Sequence, residues 1–330
     1  MNRFRLFSLT TLSFVLLSIF VFSVFNSPVN SKTPKRQEFI IESGQSLDSI
    51  TKNLKNQNLV RSSSVTKVLI FLKRYNKKIQ AGYFYLSPSS TLSQIVESLT
   101  HASAKQIWIT LPEGLRRQEI ASITLSALKK ENQDTQFNAS EFISLTKNKE
   151  GYLFPETYAL KPDITTQEVI DKLTSQFESI TKDLNISSQN LDKILILASL
   201  LERETQSSEE MSTVAGILLK RLENNWPLQV DATIQFAKAN QVCRSFDCQW
   251  WPTPLTSADL KIISPYNTYA NQGLPPLPIS NPGRQALFAA QNPNLSPYWF
   301  FLHDSKGQIH YAKTIEEHNQ NICQFLKKDC

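Results

Sequence analysis

The sequence predicts an α+β protein carried on an N-terminal transmembrane helix, and three observations support that prediction. Leu6 to Phe25 is an uncharged, apolar-rich run of twenty residues behind Arg3 and Arg5, which is long enough to span a bilayer. Beyond it, short strand-like runs such as Glu38–Glu42 and Ala81–Leu86 are interleaved with stretches of helical period. The third observation is Leu191–Thr205, LDKILILASLLERET, where Ser199 is the one polar side chain from Ile194 to Leu201. A helix apolar on every side belongs inside a core, so the larger part of the chain should have a helical centre.

Composition bounds the function. The chain has 330 residues, 41% apolar and 19% charged, which suits two globular domains. The apolar run is expected to stay as an anchor. A cleaved signal peptide has an apolar core of about 7–15 residues and a small-residue cleavage site, and Asn26-Ser27-Pro28-Val29 offers a poor one. Arg3 and Arg5 favour a cytoplasmic N-terminus, although Lys32, Lys35 and Arg36 blunt the asymmetry. With the rest exported, the net charge of +6 points to anionic surface polymer or lipid and away from nucleic acid. Cys243, Cys248, Cys323 and Cys330 fit an oxidising compartment and allow three pairings. Cys243 and Cys248 are expected to pair, because four intervening residues can turn the chain back. No second short Cys or His pair completes a zinc set, so neither metal nor cofactor is expected.

The expected organisation is a cytoplasmic tip and anchor over 1–25, a linker over 26–37, a small α+β unit over 38–101, and a mixed α+β domain over 106–330. In the small unit a strand (Glu38–Glu42) leads through Gly44 to a helix capped by Ser46, with Leu47, Ile50 and Leu54 on one face. Val65, Val68, Leu69 and Leu72 then recur at helical spacing, Ala81–Leu86 returns as a strand, and Leu92, Ile95, Val96 and Leu99 mark a third helix. This order resembles a LysM-like carbohydrate-binding module, and a plain spacer fits the same pattern.

The larger domain opens with a strand at Gln106–Leu111. Pro112-Glu113-Gly114 then turns into a helix carrying Ile120, Ile123 and Ala127. Glu150–Tyr158 has no helical period and reads as an ordered loop. Thr165 and Glu168 form a capping box for a helix through Val169, Leu173, Phe177 and Ile180. After the buried helix, Ser207 and Glu210 form another, opening a helix with Met211, Val214, Ala215, Leu218 and Leu222 inward until Asn224-Asn225. Asp231 is a natural N-cap for the next helix. Trp250-Trp251 can pack or stack on sugar rings. Ser264–Tyr269 and Gly273–Gly283 are too rich in Pro, Asn and Gly for regular structure, and long ordered loops of this kind usually carry function. A helix through Ala286, Leu287 and Ala290 follows. Tyr298–His303 and Gln308–Lys313 read as a hairpin with Asp304 opposite Gly307, which sets Phe301 against His310 and puts His303 and His310 on one side.

Glu202 is the candidate catalytic residue. At the C-terminal end of an apolar helix, the macrodipole and the poor solvation of its charge both raise its pKa. Glu204, two residues on, projects from a different face and cannot form a dyad with it. Taken alone, this helix end also fits an acid that merely surfaces beside Arg203 or solvent.

The order of Leu111–Gly114, Glu150–Tyr158, Ala198–Thr205, Leu228–Asp231, Ser264–Tyr269, Gly273–Gly283 and Glu317-His318-Asn319 resembles the MltG-type (YceG-like) endolytic murein transglycosylases, over the chain from the anchor to the last helix. Departures are Ala232 where a Pro is usual, Leu277 where a Gly is common, and the Cys-bearing aromatic stretch before Ser264. The resemblance implies a membrane-anchored lytic transglycosylase of nascent peptidoglycan strands, with Glu202 as its acid and no cofactor. It also implies substrate contacts from Glu204, Gln229, Asp231, Asn267 and Asn281, and 1,6-anhydro-MurNAc ends as product. Expected partners are glycan strands, penicillin-binding synthases, and the elongation or division machinery, at the cytoplasmic membrane with the catalytic domain outside. The alternatives are a murein hydrolase pairing Asp231 with Glu202, and a non-catalytic murein-binding scaffold.

Overall fold

A computed structural model of the chain describes residues 23–31, 36–102, 106–131 and 133–326. Residues 6–22 of the expected anchor, residues 32–35 of the expected linker, and Cys330 lie outside the described residues. Among the described residues, no helix is long and apolar enough to cross a membrane. The chain divides into two compact units, residues 1–105 and residues 106–330.

In the first unit β1 (Gln37–Ile41) pairs antiparallel with β2 (Gly82–Leu86), from Gln37 opposite Leu86 to Ile41 opposite Gly82. Strand alternation turns Phe39, Ile41, Phe84 and Leu86 inward. Helix α1 (Leu47–Asn56) starts where the Ser46 hydroxyl accepts the Ser49 N–H at 3.2 Å, and Ile50 and Leu54 join the core. Helices α2 (Ser63–Leu72) and α3 (Leu92–Ser98) complete the unit.

The buried face of α2 is not the expected one. Thr66, Leu69 and Ile70 are buried, whereas Val68 and Leu72 are 57% and 74% exposed. Residues 68–72 read Val-Leu-Ile-Phe-Leu, so apolar groups occur on every side. Spacing cannot choose among such stripes, and packing against neighbouring elements does.

Among the described residues, the second unit has two large apolar cores and a small cluster of Ala239, Cys243 and Trp250. In the first, β3 (Ile107–Thr110) pairs antiparallel with β4 (Thr157–Leu160), Ile107 lying opposite Leu160. Helices α4 (Arg117–Glu131), α5 (Ala139–Leu145) and α6 (Thr166–Asp183) cover the pair. Two of these elements differ from expectation. The stretch Glu150–Tyr158 runs as a loop only until β4 begins. Helix α5 was not anticipated, although the Asn138 side chain accepts the Glu141 N–H at 3.0 Å in an ordinary N-cap. The box at α6 is as read, with Glu168 Oε2 accepting the Thr165 N–H at 2.8 Å.

The second core surrounds α7 (Leu191–Glu204), in which every residue from Leu195 to Leu201 is buried. Helices α8 (Ser208–Glu223), α9 (Asp231–Val242) and α10 (Arg284–Gln291) pack against it. Glu210 Oε1 accepts the Ser207 N–H at 2.7 Å, as the second box requires. Cys243 and Cys248 are disulfide-bonded. Apart from a short turn of helix at Asp259–Lys261, residues 243–283 form the expected irregular loops.

The hairpin β5 (Phe300–His303) and β6 (Ile309–Ala312) is shifted by one residue from the expected register, with Leu302 opposite His310. The Asp304 N–H donates to the Gln308 carbonyl at 3.0 Å, and the Asp304 carboxylate takes the N–H groups of Lys306 and Gln308. Gly307 has φ +80°. The loop is therefore the three-residue type with a left-handed third residue, not a two-residue turn. One step of register moves side chains to the other face. His303 accordingly meets Glu210, and His310 meets Asp304, each at 3.1 Å. Helix α11 (Ile315–Asn321) follows.

Candidate active site

The site is built where α7 leaves its core. Ser199, the lone polar residue of the buried stretch, is fully enclosed. Its Oγ donates to the Ile196 carbonyl at 2.7 Å and accepts the Ile279 N–H at 3.1 Å, while Ser280 Oγ donates to the Ser199 carbonyl at 3.1 Å. The Pro-rich loop is thereby fastened onto the helix. Four residues along, that loop brings the Gly283 N–H to 2.9 Å from Glu202 Oε2.

The Glu202 carboxyl is half-buried and its pKa is pushed up to about 7. Burial is the main cause; the Gly283 N–H opposes it, the charge of Glu113 adds to it, and Arg203 opposes it. A carboxyl near 7 holds its proton about half the time at neutral pH, so it can both give and take one.

Glu113 is exposed, and its turn closes over the end of α7. At Gly114, φ is +75°, and a Cβ would lie 3.2 Å from Arg203 Nη1 and 3.4 Å from Glu202 Cγ. A Cβ on Gly283 would overlap the Glu113 carboxylate. These two glycines let both loops approach the acid. Pro112-Glu113-Gly114 reads in sequence as a strand-to-helix turn, and nothing in its spacing marks Glu113 as a charge acting on Glu202. Its place in a motif of the resemblance was the signal. Arg203 sits over Trp251, its guanidinium carbon 4.0 Å from the ring centre, and Trp251 Nε1 donates to Glu119 at 3.0 Å. The two tryptophans thus pack on arginines: the guanidinium carbon of Arg116, a buried residue, sits 4.7 Å from Trp250 and 4.1 Å from Phe236.

Glu204 points elsewhere, as i, i+2 spacing requires. Its Oε1 accepts the Ala232 N–H at 3.4 Å, and burial together with the charge of Asp231 pushes its pKa up to about 7. Asp231 does not cap α9. Val230 holds the N-cap position, and Asp231 Oδ1 accepts the Tyr269 hydroxyl at 2.5 Å. Gln229 is exposed at φ +53°, and its N–H donates to the Thr268 carbonyl at 3.1 Å. Thr268 and Thr233, which sequence reasoning overlooked, share a buried hydroxyl bond of 2.9 Å that stitches these loops together.

Asn267 and Asn281, expected as substrate contacts, are completely buried. Asn267 donates to the carbonyls of Leu260 and Ile262 and accepts the N–H groups of Tyr269 and Ala270. Asn281 accepts from Gly151 and Leu153 and donates to the Leu115 carbonyl and Glu150, each at 2.9 Å. Their amides are occupied inside the protein, so they position loops and do not face solvent. Glu150, also missed, is a buried acid whose pKa burial pushes up to about 7 against the opposing charge of Arg116. Among the described residues, no three His, Cys, Asp or Glu side chains are placed to hold a metal ion.

The chain belongs to the YceG-like family, whose model matches residues 39–324. It is similar to the endolytic murein transglycosylase of Bacillus subtilis (strain 168), at 29% identity over 89% of this chain and 86% of that protein. It is also similar to the protein of the same name from Streptococcus pneumoniae serotype 2 (strain D39 / NCTC 7466). That likeness is 26% identity over 91% of this chain and 60% of the relative. The fold is similar to a yceG-like protein from Listeria monocytogenes, with 26% identity, TM-score 0.50, and coverage of 87% of this chain and 99% of that one.

Proposed function

We propose that this chain is a membrane-anchored endolytic lytic transglycosylase of peptidoglycan and that Glu202 is its general acid and base. The observation that carries the reading is a half-buried carboxyl held near pKa 7 beside a single backbone donor, at the end of a helix packed into the core. Kinship with relatives named endolytic murein transglycosylase supports the substrate class.

Protonated Glu202 gives its proton to the glycosidic oxygen as the bond to C1 of N-acetylmuramic acid breaks, the electron pair staying on that oxygen. The 6-hydroxyl of the same sugar attacks C1, and its proton passes to the Glu202 carboxylate. No water is consumed, and the product ends in a 1,6-anhydro ring. An internal nucleophile has a high effective molarity, so the step needs no second carboxylate. Glu204, Gln229 and Asp231 are the candidates for positioning the strand, while Asn267 and Asn281 hold the loops that frame it. Residues 6–25 would keep this unit outside the cytoplasmic membrane, near the penicillin-binding synthases and elongation or division machinery whose strands it would shorten.

A two-carboxylate hydrolase is the second reading. Glu113 favours it more than Asp231 does, because the charge of Glu113 acts on Glu202 whereas that of Asp231 acts on Glu204. Mass spectrometry of digested, uncrosslinked glycan strands separates the two. Anhydro ends are expected; reducing ends would replace this reading with hydrolysis.

A further inference from the structure

We infer that the exposed face of α2 rests on the bilayer beside the anchor and binds anionic lipid headgroups. Val68, Phe71 and Leu72 are 57%, 52% and 74% exposed, and their i, i+3, i+4 spacing puts them on one side of the helix. An apolar face by itself names no partner; the charge around it does. From residue 60 to residue 96 the sequence has Arg61, Lys67, Lys73, Arg74, Lys77 and Lys78 and no acid. Lys67 is answered by Asp48 at 3.0 Å. Lys73 and Lys78 instead flank the Tyr75 ring, 5.8 and 5.7 Å from its centre. Apolar side chains, an aromatic ring and cations that, among the described residues, have no acidic partner together match a membrane interface, where basic side chains reach the headgroups and the rest enters the acyl boundary.

Position supports the same occupant. The segment just behind the apolar run is fastened to this unit. Asn26 Oδ1 accepts the N–H and hydroxyl of Ser93 at 2.9 and 2.8 Å, Arg61 Nη2 donates to the Pro28 carbonyl at 2.7 Å, and the Asn30 N–H donates to Pro88 at 3.0 Å. Helix α2 starts two residues after Arg61 and extends about 15 Å. If residues 6–25 span a bilayer, on which this inference rests, the unit is held against that bilayer with no free tether to let it leave.

The test uses the full chain with p-benzoylphenylalanine in place of Phe71, reconstituted in phosphatidylglycerol/phosphatidylcholine vesicles or in phosphatidylcholine alone. Irradiated samples are read by mass spectrometry, and alkaline extraction checks the anchor separately. Lipid adducts are expected with phosphatidylglycerol. Each basic residue near an anionic surface contributes about five-fold in partition, so Lys73→Gln, Arg74→Gln and Lys77→Gln combined should lower adduct yield at least ten-fold with an unchanged melting temperature. A chain retained in the membrane that gives no lipid adduct, or equal adducts without phosphatidylglycerol, overturns the inference. So do adducts to a second copy or to added glycan strands. A chain released by alkali overturns it as well, through the loss of the anchor.

Discussion

Replacing Glu202 with Gln keeps the side-chain shape and removes the titratable proton, and its effect on stability can be worked out before any activity is measured. The folded carboxyl has a pKa of about 7 against an ordinary value of 4.5, so the folded state holds the proton more tightly than the unfolded chain does. That contribution to stability is full below about pH 4.5 and is lost as pH rises through 7. The difference in pKa corresponds to about 3 kcal/mol, and solvent access to a half-buried group reduces this to about 1–2 kcal/mol. Glu150 and Glu204, also near 7, contribute equally to both proteins and cancel in the comparison. Denaturant unfolding at pH 5 and pH 8 should therefore show Glu202→Gln gaining about 1–2 kcal/mol on the wild type over that interval. In parallel, release of anhydro-ended fragments should fall at least about a hundredfold, the low end for loss of a general acid–base group. Stability differences that stay constant between pH 5 and 8 would refute the raised pKa. Near-normal release of fragments by the variant would refute the catalytic role and favour the scaffold reading.

Glu113→Gln removes a charge that raises the Glu202 pKa, so the alkaline limb of the rate profile should move to lower pH while activity near pH 5.5 persists; loss at every pH would mark Glu113 as a reacting group. Asn281→Ala strands buried partners in two loops and should cost about 3 kcal/mol or more in a thermal melt. A change in KM with unchanged stability would instead make Asn281 a substrate contact. Cys243→Ser with Cys248→Ser opens a loop of sequence separation 5 and should cost about 2 kcal/mol by chain entropy, read as a lower denaturant midpoint; unchanged stability would make that crosslink energetically idle.

Local signals settled much of this protein from the sequence. Capping pairs are short-range chemistry, so the starts of α1, α6 and α8 were readable from Ser46, Thr165–Glu168 and Ser207–Glu210. The unbroken apolar stretch of α7 could be satisfied only by burial, and Glu202 followed as the acid at its end. The close spacing of Cys243 and Cys248 left their pairing within reach of the backbone. Tertiary structure decided whatever depended on which partner arrives from elsewhere in the chain. The apolar residues of α2 offered several equivalent faces until neighbouring elements covered one. The hairpin register turned on whether Gly307 adopted a left-handed conformation, which the Asp304 side chain stabilises. Asp231 looked like a cap because caps are local, yet Tyr269, 38 residues on, claims its carboxylate. Asn267 and Asn281 sit in loops whose composition advertises function, but their amides are spent on holding those loops. Glu113 meets Glu202 across a gap in sequence that no periodicity spans. Composition and spacing encode what a residue can do; the electrostatics of this site come from long-range packing that brings Glu113 and Gly283 to a carboxyl whose chain neighbour is Arg203.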